Sequence, residues 1–557
     1  MSRHVLGADL ADISPHAFTR LVERLLWHVD FVNISNVDGP GDGGADLVGV
    51  RLNPQTHQPQ RWVFQAKSKR SQPVDDAAVD EIRMGMQKYD AHRGVVVTNG
   101  TFTSTAEKRA NQLRSTVGLD ISLWGRSDVD GLFNSEGFRT RFATPDLRRY
   151  QADAFQACWS DISNTRRAFA VLATGLGKTV IAGSLIDKFI AEHPTAKVLV
   201  LADKIELVDQ LERAIWRHIT KDVPTQQVVG GQKPERLEGV TVATIQSAID
   251  YARKGFRPNM IFVDEAHHVG KDSQFGELLT ICDSAVRLGA TATPWRGDKF
   301  EVSEFFGEPS IKIGIEEGMR LGYLADVVYR LYSDNVNWDY VKTLSANQYS
   351  IGDLNRNLFL PQRDERIRDE LLDIWLRTHQ PRGMVFCNTV KHAESMLKIL
   401  RAVPAWGKAA TVHSQMKSAE RKANLAKFRL GDIPLLVAVD VLNEGVDVPD
   451  VNIVCFARVT HSRRIFIQQL GRGLRLQQGK THVTVLDFVS DIRRLKAVLD
   501  LKAHVVGETE SVVLPSSHAI NFTDTRAESL FKEWLYDAAS LETAADEVRL
   551  NFPPFPQ

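Results

Sequence analysis

The amino-acid sequence predicts an α/β protein in which a small N-terminal α/β domain precedes two tandem parallel-sheet domains. The chain has 557 residues, enough for three or four domains. From about residue 148 to residue 500, short apolar runs alternate with amphipathic helical patterns, which is typical of parallel sheets covered by helices. We place the predicted domains at residues 1–140, 141–325 and 326–500, followed by a short helical tail at 501–557.

The N-terminal segment combines a leading helix with several short strands. Ser14 and Pro15 supply an N-cap and a first-turn proline, and one apolar stripe follows them at helical spacing. The runs "ADLVGVRL", "RWVFQAKSK", "GVVVTNG" and "DISLWG" each predict a strand, and the turn-rich "NPQTHQPQ" joins the first two.

Composition limits the function only weakly. Lys plus Arg and Asp plus Glu both total 69, so any nucleic-acid surface must be a local basic patch. The four cysteines are far apart and form no CxxC pair, which favours neither zinc nor disulfides and fits a reducing cytoplasm. No apolar run approaches the length of a membrane span, so we expect a cytoplasmic protein without a membrane partner.

The segment "FAVLATGLGKTVIAG" predicts a phosphate-binding loop. An apolar run is followed by Gly175 and Gly177, and a helical pattern begins near Thr179. Free N–H groups at the helix N-terminus favour phosphate, while Lys178 would reach the outer phosphates and Thr179 would hold Mg²⁺. The strict pattern has glycine where this chain has Leu172, so an ordinary strand-to-helix turn is the alternative.

A second acidic motif supports the phosphate loop. In "MIFVDEAHHVG", Asp264 and Glu265 follow an apolar run. A carboxylate at a strand tip can hold Mg²⁺, and its neighbour can orient an attacking water. An acidic pair after a strand is otherwise most often a helix N-cap.

Between about residues 148 and 490 the chain resembles a superfamily 2 helicase or translocase, because "LRRYQADAF", "LATGLGKT", "DEAH", "GATATP", "VFCNTV", "NEGVDVPDV" and "QQLGRGLR" occur in the family's order. The resemblance implies two RecA-like domains that bind ATP and Mg²⁺, with Gln151 as the adenine reader and Glu265 as a catalytic residue. It implies that the phosphate loop binds ATP through Thr174, Gly175, Gly177, Lys178 and Thr179. Thr179 and Asp264 would bind the metal.

The same resemblance assigns roles in the second motor domain. Gly445 and Asp447 would bind nucleotide, and Arg472 and Arg475 would act as arginine fingers on the γ-phosphate. The family often has threonine where this chain has Val439, which leaves the tracked strand open.

Further motifs of this resemblance concern coupling and nucleic acid. Lys204, Thr244 and Gln246 are the candidates for gripping a nucleic-acid backbone. Thr291 and Thr293 would couple the nucleotide state to the second domain, and we assign a role to His267 through the "DEAH" motif.

The N-terminal domain carries its own constellation in "GPGDGGADLVGV" and "VFQAKSK". Asp46 lies on one strand, while Gln65 and Lys67 share a face of the next strand because they are two residues apart. A carboxylate and a lysine on adjacent strands can hold a divalent cation and stabilise a pentacovalent phosphate. A surface ion pair on a hairpin is the alternative.

From about Phe18 to Leu132 the chain resembles an Mrr-like restriction endonuclease domain of the PD-(D/E)xK superfamily, in the variant with glutamine in place of the second acid. The resemblance implies that Asp46 and Gln65 are metal ligands and that Lys67 is the transition-state cation. The metal would be Mg²⁺ or Mn²⁺, and Asp42 would assist. The family commonly has glutamate where this chain has Thr19, and Glu23, one turn further on, is the candidate substitute.

Together these observations predict an ATP-dependent DNA translocase fused to a metal-dependent endonuclease, in restriction or anti-phage defence. Its expected partner is double-stranded DNA, with a partner subunit as one source of specificity. The main alternative is a repair or remodelling helicase whose N-terminal domain only binds DNA, and a third is an RNA helicase.

Overall fold

The computed structural model describes most of the first 439 residues and short parts of the rest. The described ranges are 13–29, 31–39, 42–53, 55–69, 72–134, 147–202, 205–220, 223–230, 234, 237–292, 302–332, 348–350, 364–387, 389–439, 451–457, 482–488, 512–513 and 549–551.

The N-terminal domain is a five-stranded mixed sheet with helices on both faces, as the sequence predicts. The strands lie in chain order, the first three antiparallel and the last three parallel. They are β1 (Val32–Asn36), β2 (Leu47–Leu52), β3 (Pro59–Lys67), β4 (Arg93–Thr98) and β5 (Asp120–Trp124). The helices are α1 (Pro15–His28), α2 (Asp76–Tyr89), α3 (Ser104–Val117) and α4 (Arg126–Asn134).

Alternation along β3 separates the two faces of this sheet. Trp62 and Phe64 join the core beneath α1, while Val63 joins the core beneath α2 and α3. Gln65 and Lys67 follow the period of Val63 and therefore lie on the α2 side.

The first motor domain is a seven-stranded sheet in which every pair of neighbours is parallel. Its order is β12-β6-β11-β10-β7-β9-β8. The strands are β6 (Arg167–Leu172), β7 (Val198–Ala202), β8 (Thr225–Val228), β9 (Val240–Thr244), β10 (Met260–Asp264), β11 (Val286–Thr291) and β12 (Ile311–Ile313). The helices are α5 (Arg149–Thr165), α6 (Lys178–Glu192), α7 (Ile205–Trp216), α8 (Ile245–Arg253), α9 (Gln274–Ile281), α10 (Ser303–Phe306) and α11 (Ile315–Arg320), with a 3₁₀ turn at Ala266–His268.

Continuous apolar runs make these strands, because both faces of a parallel sheet are covered. All five residues of Val198–Ala202 are buried, as are all five of Val240–Thr244. The carboxyl ends of β6, β10 and β11 meet at one edge of the sheet, where the predicted phosphate loop and acidic motif follow.

The second motor domain is also a seven-stranded parallel sheet, with the order β16-β17-β15-β18-β19-β13-β20. Its strands are β13 (Asp326–Tyr332), β15 (Gly383–Phe386), β16 (Ala410–Val412), β17 (Leu435–Ala438), β18 (Ile453–Ala457), β19 (His482–Phe488) and β20 (Val512–Val513). The helices are α12 (Asp364–Arg377), α13 (Val390–Arg401) and α14 (Ser418–Leu430), with a 3₁₀ turn at Pro404–Trp406. Two parallel-sheet domains after a mixed N-terminal domain confirm the predicted fold class.

The C-terminal tail contributes strands that the sequence does not predict. Val512–Val513 pairs with β13 at the edge of the second sheet, and Arg549–Asn551 (β21) pairs antiparallel with Gln348–Ser350 (β14). The predicted tail helix lies outside the described residues. No helix among the described residues is both long and apolar enough to cross a membrane, and all four cysteines are buried free thiols.

The N-terminal domain packs against both motor domains. On one side, α1 meets α7 of the first motor domain through the ion pairs Arg20–Glu212 and Glu23–Arg213. Arg24 also donates to the carbonyl of Val223 at 3.3 Å.

On the other side, the N-terminal domain meets α14 of the second motor domain. Arg61 donates to both carboxylate oxygens of Asp432, at 3.0 and 2.9 Å. Ala426 is buried in the core under α2, with Leu430 packed beside it. The N-terminal domain therefore connects the two halves of the motor.

Candidate active sites

The loop between β6 and α6 has the backbone of an anion site. Gly175 and Gly177 have φ angles of 96° and 83°, in the left-handed region that favours glycine. A Cβ on Gly177 would lie 2.5 Å from Nε2 of Gln151, so glycine is also required for space. Leu172 is fully buried at the end of β6, which shows that the tight turn begins only after the strand and needs no glycine there.

Gln151 holds this loop from the side. Its Nε2 donates to the carbonyl of Leu176 at 3.2 Å, and its Oε1 accepts from the N–H of Arg148 at 3.0 Å. The hydroxyl of Tyr150 donates to the same Leu176 carbonyl at 2.9 Å, and its ring stacks on Tyr323 at 4.1 Å. Gln151 therefore positions the phosphate loop, while its role as the adenine reader stays a prediction.

The loop lysine and the acidic motif form one connected cluster. Lys178 Nζ lies 3.5 Å from Oε1 of Glu265, whose Oε2 accepts from the hydroxyl of Thr291 at 3.3 Å. Nδ1 of His267 lies 2.7 Å from that hydroxyl and 3.2 Å from Glu265 Oε2. Glu265 itself has a φ of 51°, a left-handed conformation that is uncommon for glutamate and turns its side chain back toward the loop.

This cluster keeps Glu265 ionised. Burial alone would raise its pKa, but the Lys178 ammonium and the hydrogen bond from His267 outweigh burial and hold the pKa well below its usual range. Glu265 is therefore an ionised carboxylate that can accept hydrogen bonds at neutral pH.

Three further predicted residues lie at the same edge of the sheet. Asp264 ends β10, and Thr179 is the second residue of α6. The Oγ1 of Thr174 is buried and has no hydrogen-bond partner among the described residues, as expected of a group that awaits a ligand. These donors and acceptors fit a nucleotide phosphate with a divalent metal ion.

Several predicted motor residues lie outside the described residues, namely Lys204, Thr293, Gly445, Asp447, Arg472 and Arg475. Thr244 is buried and its hydroxyl donates to Ser247 at 3.1 Å, while Gln246 is exposed on the first turn of α8. Val439 is buried in the core of the second domain. The DNA-gripping roles stay predictions.

In the N-terminal domain, Asp46 immediately precedes β2, one residue before the strand on which the sequence placed it, and lies beside β3. Its Oδ2 accepts from the N–H of Ala66 at 2.7 Å, which places the carboxylate next to Gln65 and Lys67. Carboxylate oxygens of Asp38, Asp42 and Asp46 all lie within 4.8 Å of one another.

The glycine-rich loop shapes this acidic cluster. Asp42 accepts from the N–H of Gly44 at 2.6 Å and from that of Gly39 at 3.2 Å. Gly44 has a φ of 83°, and a Cβ there would lie 2.5 Å from the carbonyl of Glu81 on α2. The loop therefore packs tightly on α2, which the "GDGGAD" sequence permits.

The proximity of these acids changes the ionisation of Asp46. Burial raises its pKa to about 7, and the nearby Asp38 and Asp42 add to the shift, since the Ala66 hydrogen bond and Lys67 only partly oppose it. Asp46 is thus a carboxylate that lacks enough positive charge from the chain.

Gln65 and Lys67 converge on a residue that the sequence analysis missed. Nε2 of Gln65 and Nζ of Lys67 donate to Oε2 of Glu81, at 2.5 and 2.7 Å. The Oε1 of Gln65 is buried without a hydrogen-bond partner among the described residues. An unsatisfied carbonyl oxygen beside an under-neutralised carboxylate fits a divalent metal ion.

Glu23 does not take the place of the missing family acid. Its side chain is fully buried and pairs with Arg213 of the first motor domain at 2.5 Å, and the charges that shift the pKa of Asp46 do not include it. The hydroxyl of Thr19 donates to the carbonyl of Pro15 in its own helix at 3.2 Å. Glu23 does lie one helical turn after Thr19, but it pairs with Arg213 of the neighbouring domain instead.

Glu81 and Asp38 carry no sequence signal of their own. Glu81 is 16 residues from Gln65 and lies on an amphipathic helix, where acidic residues are common on the exposed face. Asp38 precedes the glycine-rich loop, and its proximity to two other acids was the one available hint.

The fold and the two clusters define a RecA-like motor joined to a restriction-endonuclease-like domain. Three family models match the chain: "Restriction endonuclease" over residues 10–138, "Type III restriction enzyme, res subunit" over 144–296 and "Helicase conserved C-terminal domain" over 363–477. The chain therefore carries an Mrr-like nuclease domain followed by the two domains of a superfamily 2 helicase or translocase. These domain types imply ATP and a divalent metal ion as cofactors.

Curated relatives match part of the chain. The protein named "Putative ATP-dependent helicase IRC3" from Saccharomyces cerevisiae is 28% identical over 62% of this chain and 52% of its own length. The "Type I restriction enzyme EcoAI endonuclease subunit" from Escherichia coli is 26% identical over 61% of this chain and 46% of its own length. The chain thus spans about half the length of these relatives.

One solved structure supports the fold over nearly the whole chain. The "ATP-dependent Type ISP restriction-modification enzyme LlaBIII bound to DNA" matches 97% of this chain and 42% of its own, with a TM-score of 0.51 and 17% identity. At this identity the likeness concerns the fold.

Proposed function

We propose that this protein is an ATP-dependent DNA translocase coupled to a Mg²⁺-dependent DNA endonuclease. The observation that carries the proposal is the presence of two chemically distinct sites in one chain. Lys178 and Glu265, 3.5 Å apart, would form a nucleotide site, and Asp46, Gln65 and Lys67 would form a cation site on a nuclease fold.

In the motor, binding of nucleotide phosphate would compete with Glu265 for Lys178, because both are anions at one ammonium. Glu265, held by Thr291 and His267, would then orient the attacking water. Thr291 ends β11, the strand beside Asp264, so the hydrogen bond from Thr291 links Glu265 to β11. Asp264 and Thr179 would hold Mg²⁺, which neutralises phosphate charge when bound. Arg472 and Arg475 are the proposed arginine fingers.

In the nuclease domain, Asp46 and Gln65 would hold the divalent cation, with Asp42 and Asp38 close by. A bound Mg²⁺ or Mn²⁺ supplies Lewis-acid activation of water and phosphate. Lys67, half-buried beside Glu81, would place its ammonium against the developing charge on the phosphate.

Two curated relatives are named as endonuclease subunits of type I restriction enzymes. We therefore propose a role in restriction or anti-phage defence in the cytoplasm, with target specificity supplied by DNA modification, DNA structure or a partner subunit.

The alternative is a repair or remodelling helicase whose N-terminal domain only binds DNA. Thr19 favours it, because its hydroxyl bonds within its own helix and replaces an acid of the family pattern. The helicase name of the yeast relative also agrees with this alternative.

Plasmid cleavage separates these readings. We expect Mg²⁺-dependent nicking or linearisation that requires Asp46 and responds to ATP, tested on modified and unmodified DNA. ATPase assays with duplex DNA, single-stranded DNA and RNA identify the polymer that the motor follows. No cleavage under any metal, ATP or modification condition, with DNA-stimulated ATPase intact, would establish the helicase alternative.

A further inference from the structure

Glu81 lies at the centre of the polar contacts beneath the nuclease site. It belongs to α2, which packs on β3 and β4, and one carboxylate oxygen accepts from both Gln65 and Lys67. Its side chain is 41% exposed, so it reaches the site from the rim of the helix rather than from the core.

The chemistry of these contacts fixes the orientation of Gln65. An ionised carboxylate can only accept hydrogen bonds, so the NH₂ group of Gln65 must face Glu81. The same Glu81 oxygen also accepts from the Lys67 ammonium, so it takes two hydrogen bonds and has no proton to donate to Gln65. The carbonyl oxygen of Gln65 must therefore point the other way.

That orientation matters because an amide, unlike a carboxylate, has one useful ligand oxygen. The Oε1 of Gln65 is buried and has no hydrogen-bond partner among the described residues. With an acid at this position either oxygen would serve. With glutamine, a flipped amide would present NH₂ to a cation and repel it.

We infer that Glu81 is a positioning residue of the nuclease site, which turns the Gln65 carbonyl toward the metal ion and holds the Lys67 ammonium in place. The inference rests on the proposed nuclease function. It explains how a glutamine serves as a metal ligand here, and it assigns a role to a helix residue outside the recognised motif.

The test measures Mn²⁺ binding to the full-length protein by calorimetry without nucleotide. Binding that persists in Asp46→Ala is the background from the rest of the chain. We expect Glu81→Ala to weaken the Asp46-dependent binding about tenfold or more, the usual cost of removing a residue that orients a metal ligand. Asp80→Ala is the matched control, since Asp80 is the neighbouring acid, is 40% exposed and pairs with Arg109 instead.

A double-mutant cycle then separates positioning from a direct or merely structural role. If Glu81 acts through Gln65, Glu81→Ala should change Mn²⁺ affinity less than about twofold once Gln65→Ala is present. An equal loss in both backgrounds, or no loss in the wild-type background, would overturn the inference. ATPase activity and melting temperature of each variant check the fold.

The two proposals fail differently in this experiment. A wild-type protein without Asp46-dependent Mn²⁺ binding contradicts the nuclease function itself. A wild-type protein that binds Mn²⁺ through Asp46 but is indifferent to Glu81 contradicts the positioning role alone.

Discussion

The motor site and the nuclease site treat a buried carboxylate in opposite ways. In the motor, Glu265 faces Lys178 at 3.5 Å and His267 at 3.2 Å, and its pKa is held low. In the nuclease domain, burial and two neighbouring acids raise the pKa of Asp46 to about 7.

This difference shows in which site the protein itself balances the charge of the carboxylate before a ligand binds. In the motor, Lys178 balances the charge of Glu265, so Glu265 is ionised before nucleotide binds. The incoming phosphate must therefore displace Glu265 from Lys178. Asp46 is buried near Asp38 and Asp42, and Lys67, which also pairs with Glu81 at 2.7 Å, only partly offsets this. A cation from solution is therefore needed to ionise the nuclease acid fully.

The largest expected effect comes from breaking the motor half of this comparison. Lys178→Ala should reduce ATP turnover by at least about 10³-fold, because it removes a phosphate contact and the partner of Glu265. Steady-state ATPase assays with DNA measure it. Lys188→Ala is the matched control, since Lys188 lies on the same helix and pairs with Glu192 at 3.2 Å. Wild-type-like turnover in Lys178→Ala would rule out the motor site.

A substitution of Asp46 in the nuclease domain should have opposite effects on activity and on stability. Asp46→Asn should abolish cleavage but stabilise the fold above pH 7, because the raised pKa of Asp46 makes its ionisation unfavourable to folding. A shift from 3.8 to about 7 corresponds to at most about 4 kcal/mol, and partial exposure lowers that figure.

The pH dependence of folding stability follows from the raised pKa of Asp46. In the metal-free wild type, the unfolded state ionises first, so the contribution of Asp46 to stability should fall between about pH 4 and pH 7 and then level off. Thermal melts of wild type and Asp46→Asn across this range measure the difference. A less stable Asp46→Asn protein at pH 8 would contradict the charge imbalance.

Glu23 offers a third carboxylate, one that the neighbouring domain neutralises. Glu23→Ala should destabilise the packing of the nuclease domain on the motor by about 1–3 kcal/mol, because it removes the ion pair while Arg213, 22% exposed, keeps the nearby carboxylates of Asp209 and Glu212. Denaturant unfolding and limited proteolysis measure the effect. The folded fraction of Glu23→Ala should keep Asp46-dependent Mn²⁺ binding. A selective loss of that binding would show that Glu23 contributes to the metal site.

A smaller effect tests the countercharge idea directly. Because a metal ion must displace the proton from Asp46, Asp46-dependent Mn²⁺ affinity should be about tenfold weaker at pH 6 than at pH 8. Calorimetric titration at the two pH values checks this. An affinity independent of pH would show that Asp46 is already ionised without metal.

The smallest effect is expected at the second contact of the nuclease domain. Arg61→Ala removes the bidentate pair with Asp432, whose side chain is 34% exposed, so the cost should be about 1 kcal/mol or less. Denaturant unfolding of Arg61→Ala and Glu23→Ala under the same conditions compares the free energies of the two interdomain contacts. A larger loss than that of Glu23→Ala would reverse their order.

Much of this protein could be predicted from local sequence patterns. The apolar runs at Val198–Ala202 and Met260–Asp264 are strands because both faces of a parallel sheet are buried. The glycines at 175 and 177 predicted the phosphate loop because their backbone conformation is available to few other residues. Gln65 and Lys67 were predicted to share a face from their period-two spacing, and both do donate to Glu81.

Other features depend on contacts between segments that are distant in the chain. Glu23 and Glu81 are both glutamates on amphipathic helices, and the sequence alone offered only Glu23 as a candidate for the metal site. The packing of α1 against α7 gives Glu23 to Arg213, while the packing of α2 against β3 brings Glu81 to Gln65 and Lys67.

By itself the sequence determined the elements, the two motif sets and the class of each domain, because these depend on spacing within short segments. Only the tertiary structure decided which charge faces which. Ionisation depends on burial and on groups within a few ångströms, and those distances arise from helix and sheet packing that no local pattern records. For that reason the low pKa of Glu265 and the pKa near 7 of Asp46 belong to the fold rather than to their motifs.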